Sequence, residues 1–411
     1  MTELPPCDVA IVGAGIAGTA LALALSGHGL RIVLIEAQGT ERTALPAALS
    51  LESFDPRVVA LNPRSRAVLQ GLDAWQAVAD YRLCAYRHMT VWDAEGTGAI
   101  DFDSADVNVE ALGYIVENRA LVAALLQRLA ACADVRVLAP ESLAGCERDA
   151  EGRMSLTLAS GARLRCGLVA AADGALSRVR ELLAFRTREW DYGHHAIVTT
   201  VQVEQPHQAT AWQRFLPSGP LAFLPLPSTA SAHYCSIVWS LQSARVEGLQ
   251  ALDEAAFCAA LERAFEGRLG RVQACSRRYA FPLRQRHAVD YIQPGAVLVA
   301  DAAHTIHPLA GQGINLGLQD VAVLAEELLR AAERGESLGS VEVLRRYQRR
   351  RKGENLAMMA AMDGFKRLFE QPALPLRWLR NAGLRGVDRA GPLKHQLMRQ
   401  AMGLGTAKAV Q

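Results

Sequence analysis

The chain has 411 residues, 50% hydrophobic and 21% charged, with 44 Lys plus Arg against 42 Asp plus Glu. This composition excludes disorder and fibrous repeats, and the length suits roughly two or three domains. A formal net charge of +2 excludes a chain built as a whole to bind nucleic acid.

The eight cysteines at 7, 84, 132, 146, 166, 235, 258 and 275 form no C-x-x-C pair. No metal or iron–sulfur site is indicated, and free thiols fit a reducing, cytoplasmic compartment.

Asp8–Val12 reads as a buried parallel strand and is followed by GAGIAG at 13–18 and an Ala/Leu-rich helix to about Gly27. Val9–Leu30 carries no formal charge and is long enough to suggest a membrane span. Glu3 and Asp8 stand where a signal peptide has Lys or Arg, and Gly13, Gly15 and Gly18 interrupt the run. A strand plus a helix in a soluble chain is therefore expected. Arg31–Glu36 is a second strand, completing a βαβ start, and 38–56 is loop-like. Residues 118–132 have helical spacing with Asn118 as N-cap. Strands are expected at 134–138, 154–158, 162–166 and 168–172, the last ending in Asp173-Gly174.

Between about 188 and 283 the character changes to strands such as 196–203 and 234–241, Pro-rich turns at 217–227 and one helix around 251–265. A short strand at 296–300, a Gly- and His-rich stretch at 301–317 and helices at 318–333 and 339–364 follow. The expected fold is α/β: a Rossmann-like nucleotide domain from 1–80, 115–187 and 284–364, a β-sheet substrate domain from 81–114 and 188–283, and a basic helical segment at 365–411.

GAGIAG fits G-x-G-x-x-G in the context of strand, turn and helix. Gly13 permits the tight turn, Gly15 lets the backbone approach a pyrophosphate, and Gly18 lets helix and strand pack closely. Glu36, 18 residues after Gly18, can accept hydrogen bonds from a ribose 2′-OH. This motif alone leaves FAD and NAD both open. Ala171–Arg180 places Asp173 and Gly174 at a strand end. Val297–Asp320 places Asp301 at another, where it can bond a polyol. Gly311, Gly313 and the next helix can present N–H groups to an anionic ring edge.

With these three motifs in this order, the sequence resembles the class A flavoprotein monooxygenases of the aromatic-hydroxylase fold. The resemblance implies FAD, with Gly13, Gly15, Gly18 and Glu36 at its ADP half and Asp301 at the ribityl chain. It places Gly311, Gly313, Ile314 and Asn315 at the isoalloxazine, Arg57 and Arg119 along the cofactor, and Asp173 near both FAD and a nicotinamide donor. NAD(P)H or a separate reductase is the implied electron source. One departure is visible: the family usually has Gly-Asp where this chain has Ala300-Asp301. A methyl there requires a negative φ or extra room.

HTIHPLAGQGINLGLQD at 304–320, RVVALNPRS at 57–65, MTVWD at 89–93, IVENRAL at 115–121, WDYGHHAIV at 190–198 and FLPLP at 223–227 are similar to the ubiquinone-biosynthesis hydroxylases, the UbiH/UbiI/VisC group. With RQAMGL at 399–404, they look most like the VisC-type branch. The resemblance implies hydroxylation of a polyprenyl phenol, at carbon 5, through a flavin C4a-hydroperoxide. Alternatives are a sister hydroxylase acting elsewhere on the ring or on a soluble aromatic, and a non-catalytic flavoprotein scaffold among other ubiquinone-biosynthesis proteins.

His304, His307 and Pro308 are the candidates for a catalytic role, a phenol-activating imidazole foremost. The simpler expectation is that the histidines pack around the flavin loop. Residues 364–411 hold nine Lys/Arg and two acids, and 345–352 holds six more basic residues. Together with Leu374, Trp378 and Leu397 these cations suggest either a solvated face or, through 374–399, peripheral contact with an inner-membrane surface or a partner.

Overall fold

A computed structural model describes residues 2–40, 44–149, 152–305, 312–370, 381–383, 386–388 and 390–404. β1 (Cys7–Val12) leads through α1 (Ile16–Leu25) into β2 (Ile32–Ile35). The two strands pair in parallel, Val9 opposite Ile32 and Val12 opposite Ile35. The uncharged stretch from Val9 to Leu30 is thus a strand and a helix, with Leu21, Ala22 and Leu25 fully buried.

The chain then leaves this sheet. β3 (Val58–Leu61), α2 (Pro63–Gly71), α3 (Trp75–Tyr81) and β4 (Leu83–Tyr86) precede the hairpin of β5 (His88–Asp93) and β6 (Ala99–Asp103). β7 (Gly113–Glu117) pairs antiparallel with both β3 and β4 in a small three-stranded sheet. α4 (Asn118–Leu129) returns the chain to the first sheet at β8 (Val135–Leu138), parallel to β2. Glu117, still extended at the end of β7, holds the cap position, so Asn118 is the first helical residue and not the expected N-cap.

β9 (Leu143–Arg148) and β10 (Met154–Leu158) lead to β11 (Arg163–Ala171). The strands expected at 162–166 and 168–172 are this single strand. Its first half pairs antiparallel with β10 and its second half parallel with β1, Leu168 opposite Val9. Burial follows the partners, alternating along the first half and continuous from Leu168 to Ala171. The short α5 (Arg178–Leu182) closes this section.

β12 (Thr187–Val203), β13 (Thr210–Leu216), β14 (Gly219–Pro225) and β15 (His233–Gln242) form most of the second large sheet, which β5 and β6 join at one end. β14 replaces the turns that its prolines suggested. Pro220 is second in the strand and Pro225 last, positions near the ends where a missing N–H disturbs the ladder least. α6 (Ser243–Ala251) and α7 (Glu254–Ala264) replace the single helix expected at 251–265. Asp253 divides them by accepting the Ala256 N–H at 2.7 Å, as an N-cap.

β16 (Val272–Cys275) and β17 (Tyr279–Ala288) complete that sheet, before β18 (Ile292–Gln293) and β19 (Ala296–Leu298) re-enter the first, β19 parallel to β11. β20 (His304–Thr305) pairs with β17, so the segment after β19 touches both sheets. Among the described residues, α8 (Gln312–Glu333), α9 (Val341–Glu370) and α10 (Gly391–Ala401) follow, with further helical residues at 381–383 and 386–388.

Half of the six basic residues at 345–352, namely Arg346, Arg350 and Arg351, bond to acids of α8. Arg346 meets Glu327 at 3.1 Å and Glu336 at 2.7 Å, and Arg350 meets Glu326 and Glu327, each at 2.7 Å. Lys352 pairs with Asp290. All eight cysteines are free thiols. No helix among the described residues is long and apolar enough to cross a membrane.

His287 on β17 is buried, with Nε2 3.0 Å from the Tyr291 hydroxyl. Burial, followed by the nearby His304, pulls its pKa from 6.5 down to about 4. Between these values the unfolded chain binds a proton that the native chain does not, so acidification through this window favours unfolding. We expect His287 to remove about 3 kcal/mol of stability between pH 6.5 and pH 4. His287→Gln should flatten the pH dependence of denaturant unfolding in that window; an unchanged slope would show that the imidazole titrates normally in the native state.

Candidate active site

The carboxyl ends of β1, β2, β11 and β19 lie side by side, the usual location of a ligand crevice in a parallel sheet. Gly13, just beyond β1, has φ +98°, and a Cβ there would lie 2.6 Å from the Ala172 carbonyl oxygen. A Cβ on Gly18 would lie 1.8 Å from the Gly13 carbonyl oxygen. These two glycines are demanded by the chain's own packing. Gly15 is different: it occupies the N-cap of α1 at φ −73°, with no side-chain cap, and a Cβ there would meet nothing within 4 Å. An uncapped helix N-terminus facing open space suits an anion. Glu36 closes the other side, its carboxylate accepting the Ala14 N–H at 2.7 Å and the Gln38 N–H at 2.9 Å. The residues present thus fit the ADP half of a dinucleotide.

Asp173, beyond β11, accepts the N–H groups of Arg178 and Val179 at 2.7 and 3.2 Å, beside Ser177, the N-cap of α5. Buried Arg180 donates to the Ala175 carbonyl at 2.6 Å and the Ala302 carbonyl at 2.8 Å. This guanidinium ties the end of β11 to the turn after β19.

That turn carries Ala300 at φ +54°, in the left-handed region. The extra room required by its methyl comes from α8: a Cβ on Gly317 would stand 2.8 Å from the Ala300 Cβ. The turn is held from beneath by Asp320, which is fully buried. One carboxylate oxygen accepts the Ala300 N–H at 3.2 Å and lies 2.5 Å from Nε2 of His304. The other accepts Arg351 Nε at 2.7 Å and Asn355 Nδ2 at 3.1 Å. Burial alone would raise the Asp320 pKa, but the charges and hydrogen bonds of His304 and Arg351 outweigh it and hold the carboxyl below its ordinary range.

His304 is itself fully enclosed, so it packs beneath the turn and does not line the crevice as a phenol-activating base would. His307, Pro308 and Gly311 lie outside the described residues. Asp301, beyond β19, is exposed at the surface, yet protein crowds around its carboxyl group. That burial raises its pKa; His304 and Arg57 pull it back, and Asp320 pushes it up.

Arg57 and Arg119 share an anchor, since their N–H groups both donate to Asp55 at 2.9 Å. The Arg119 guanidinium is engaged by buried Glu117 at 2.5 Å and by the Ser53 carbonyl. The exposed Arg57 side chain crosses toward the second sheet, its guanidinium carbon 5.2 Å from the Phe281 ring centroid. Gly313, Ile314 and Asn315 form the first turn of α8. Buried Asn315 donates to the Ala60 carbonyl at 2.8 Å and accepts the Asn62 N–H at 3.0 Å and the Ser65 hydroxyl at 2.7 Å. This side chain therefore pins the turn to β3 and α2. Asp320, Arg351, Arg180 and Asn62 received no role from sequence. The available signal was a charged residue on an apolar helix face, as at Asp320 and Arg351.

Residues 6–361 match the FAD-binding domain family. The chain is 41% identical over 400 residues to 3-demethoxyubiquinol 3-hydroxylase of Escherichia coli K12, covering 97% of this chain and 99% of that protein. It is 38% identical over 408 residues to ubiquinone hydroxylase UbiL of Rhodospirillum rubrum, covering 96% and 89%. The solved structure of p-nitrophenol 4-monooxygenase PnpA from Pseudomonas putida DLL-E4 superposes with a TM-score of 0.76 at 18% identity, over 99% of this chain and 100% of that one, and so shares its fold. The fold and crevice are those of an FAD-dependent monooxygenase with the aromatic-hydroxylase architecture. The chain belongs to the FAD-binding domain family and, within it, to the ubiquinone-biosynthesis hydroxylases.

Two pairs of substitutions separate cofactor contacts from packing. Gly15→Ala should leave the melting temperature of the apoprotein unchanged and weaken FAD binding at least about tenfold, the loss of one hydrogen bond to a charged group. Gly18→Ala should lower the apoprotein melting temperature outright. Equal thermal effects would mean that Gly15 is also a packing glycine. Gly317→Ala should destabilise the fold by about 1–3 kcal/mol through overpacking against Ala300. Ala300→Gly should restore most of that loss in the double variant, as read by denaturant unfolding; strictly additive effects would disprove the contact.

Proposed function

We propose that this protein hydroxylates the aromatic ring of a polyprenylated ubiquinone precursor, using FAD, O₂ and electrons from NAD(P)H or a reductase. The observation carrying this reading is Arg57, whose guanidinium carbon lies 5.2 Å from the Phe281 ring on the second sheet and whose charge also lowers the pKa of Asp301 beyond β19, in a chain 41% identical to a ubiquinol-ring hydroxylase. Gly13, Gly15, Gly18 and Glu36 hold the ADP half of FAD, Asp301 its ribityl hydroxyls, and the first turn of α8 its ring. Bound FAD supplies the oxygen activation. The protein orients the phenol beside the ring, with Arg57 and Phe281 forming one wall, and excludes water. Segments 1–80, 115–187 and 284–364 form the cofactor domain in this reading; 81–114 and 188–283 form the substrate domain.

For the ring position, the name of the Escherichia coli relative favours 3-hydroxylation of a 3-demethoxyubiquinol. The VisC-like motifs favour carbon 5. The prenyl tail leaves the pocket toward a membrane or a lipid-carrying partner, with 374–399 as the contact. Met398 and Met402 are buried against Val107 and Leu112, so removing that region would also disturb the core. The contact then draws on exposed positions such as Leu397.

Quinone profiling by mass spectrometry in a strain lacking the gene tests this. Accumulation of a 3-demethoxyubiquinol supports the first position, and accumulation of a polyprenyl phenol not yet hydroxylated at carbon 5 supports the second. An unchanged quinone pool, with no other hydroxylase present, would overturn the substrate class.

A further inference from the structure

The described parts of the C-terminal segment are fastened at three places. Asn381 is buried against the β5–β6 turn, accepting the Gly98 N–H at 2.6 Å and donating to Asp93 at 3.0 Å. A Cβ on Gly96 or Gly98 would collide with it. Lys394 on α10 lies 3.5 Å from Asp106 and 3.3 Å from Asp388. At the far end, the Ala401 carbonyl accepts Nδ2 of Asn62 at 3.4 Å, and Gly403, at φ +73°, sits against the Arg64 side chain. Met398 and Met402 bury themselves beside Val107 and Leu112 between these points.

Asn62 therefore uses three groups in three directions. Its Oδ1 caps α2 by accepting the Ser65 N–H at 2.8 Å. Its backbone N–H donates to Asn315 Oδ1 at 3.0 Å, and its Nδ2 donates to the end of α10. The residue is only 5% exposed, and Asn315 only 1%. A shift of α10 must therefore move Asn62 or break its last bond, and a shift of Asn62 acts directly on Asn315 in the first turn of α8.

We infer that Asn62 is a positioning residue that couples docking of the C-terminal helix to the Asn315 turn of the FAD site. The segment that clamps the β5–β6 hairpin is thereby linked to the turn proposed to hold the flavin ring.

Asn62→Asp retains the capping oxygen, replaces the Nδ2 donor with an acceptor against the Ala401 carbonyl and adds a carboxylate charge, whereas the companion variant leaves the charge unchanged. Met402→Ala loosens α10 without touching Asn62. We expect Asn62→Asp to raise the FAD dissociation constant of the full-length apoprotein about two- to tenfold, the span of one hydrogen bond, and to shift the visible bands of bound flavin. Hydrogen exchange should rise together in 312–320 and 391–404. Met402→Ala should raise exchange at 312–320 in the parent but add little in the Asn62→Asp background, because coupled positions are not additive. Additive effects, or faster exchange confined to 391–404 with an unchanged flavin spectrum, would overturn the coupling. Should Asn62→Asp fail to fold, exchange at 312–320 in Met402→Ala alone decides: a rise supports the link, and none refutes it.

Discussion

The arrangement of the crevice depends on one buried negative charge. Asp320 has no exposed surface, and a carboxylate so placed is tolerable only when its oxygens are fully satisfied. Its partners come from two separate places: Ala300 and His304 in the segment after β19, and Arg351 and Asn355 on α9. Leaving such a charge without a partner typically costs about 3–5 kcal/mol, so the partners are held to one geometry. Two of them flank Asp301. The position of the residue proposed for the ribityl chain is thus set by a carboxylate buried beneath its turn. The same logic runs along the α8–α9 interface, where buried Glu327 collects Arg330, Arg346 and Arg350. Basic residues on α9 that suggest a membrane or partner surface are, in good part, counterions of α8.

Small residues divide into those the fold needs and those the ligand needs, and a virtual Cβ tells them apart. Gly13 and Gly18 are filled by neighbouring backbone, whereas Gly15 borders open space. Ala300 shows how a departure from a family pattern is absorbed. The methyl sits in left-handed backbone, which costs roughly 1–2 kcal/mol for an L-residue, and Gly317 on the facing helix leaves it room. The missing atom has moved across the contact.

Local signals in the sequence were enough for the βαβ start, the Gly-rich turn and the order of the three motifs, because each depends on neighbours within a few residues. Elements set by distant partners were not legible. The single strand β11 looks like two because it exchanges an antiparallel partner for parallel ones midway, which changes its pattern of burial. β14 looks like turns because its prolines speak louder than a register with β13 and β15 that only tertiary structure reveals. His304 looks available for catalysis until Asp320, 16 residues away, is seen beneath it. Asn62 resembles an ordinary helix cap, which it is; its contacts with Asn315 and Ala401 lie 253 and 339 residues further along the chain.

The C-terminal segment places two demands on the same kind of atom. Attraction of Lys and Arg to an anionic surface contributes about 1 kcal/mol per residue and is screened by salt, whereas lasting attachment needs apolar area. In α10 the buried sulfur-containing side chains, Met398 and Met402, already give their area to the second sheet and its loop, while Leu397 and the nearby Leu404 remain exposed. Among its described side chains, Leu397 is the large apolar residue left exposed on this helix while it stays docked. Deep insertion of this helix in a bilayer would have to compete with the burial of Met398 and Met402, the packing that also holds Ala401 against Asn62.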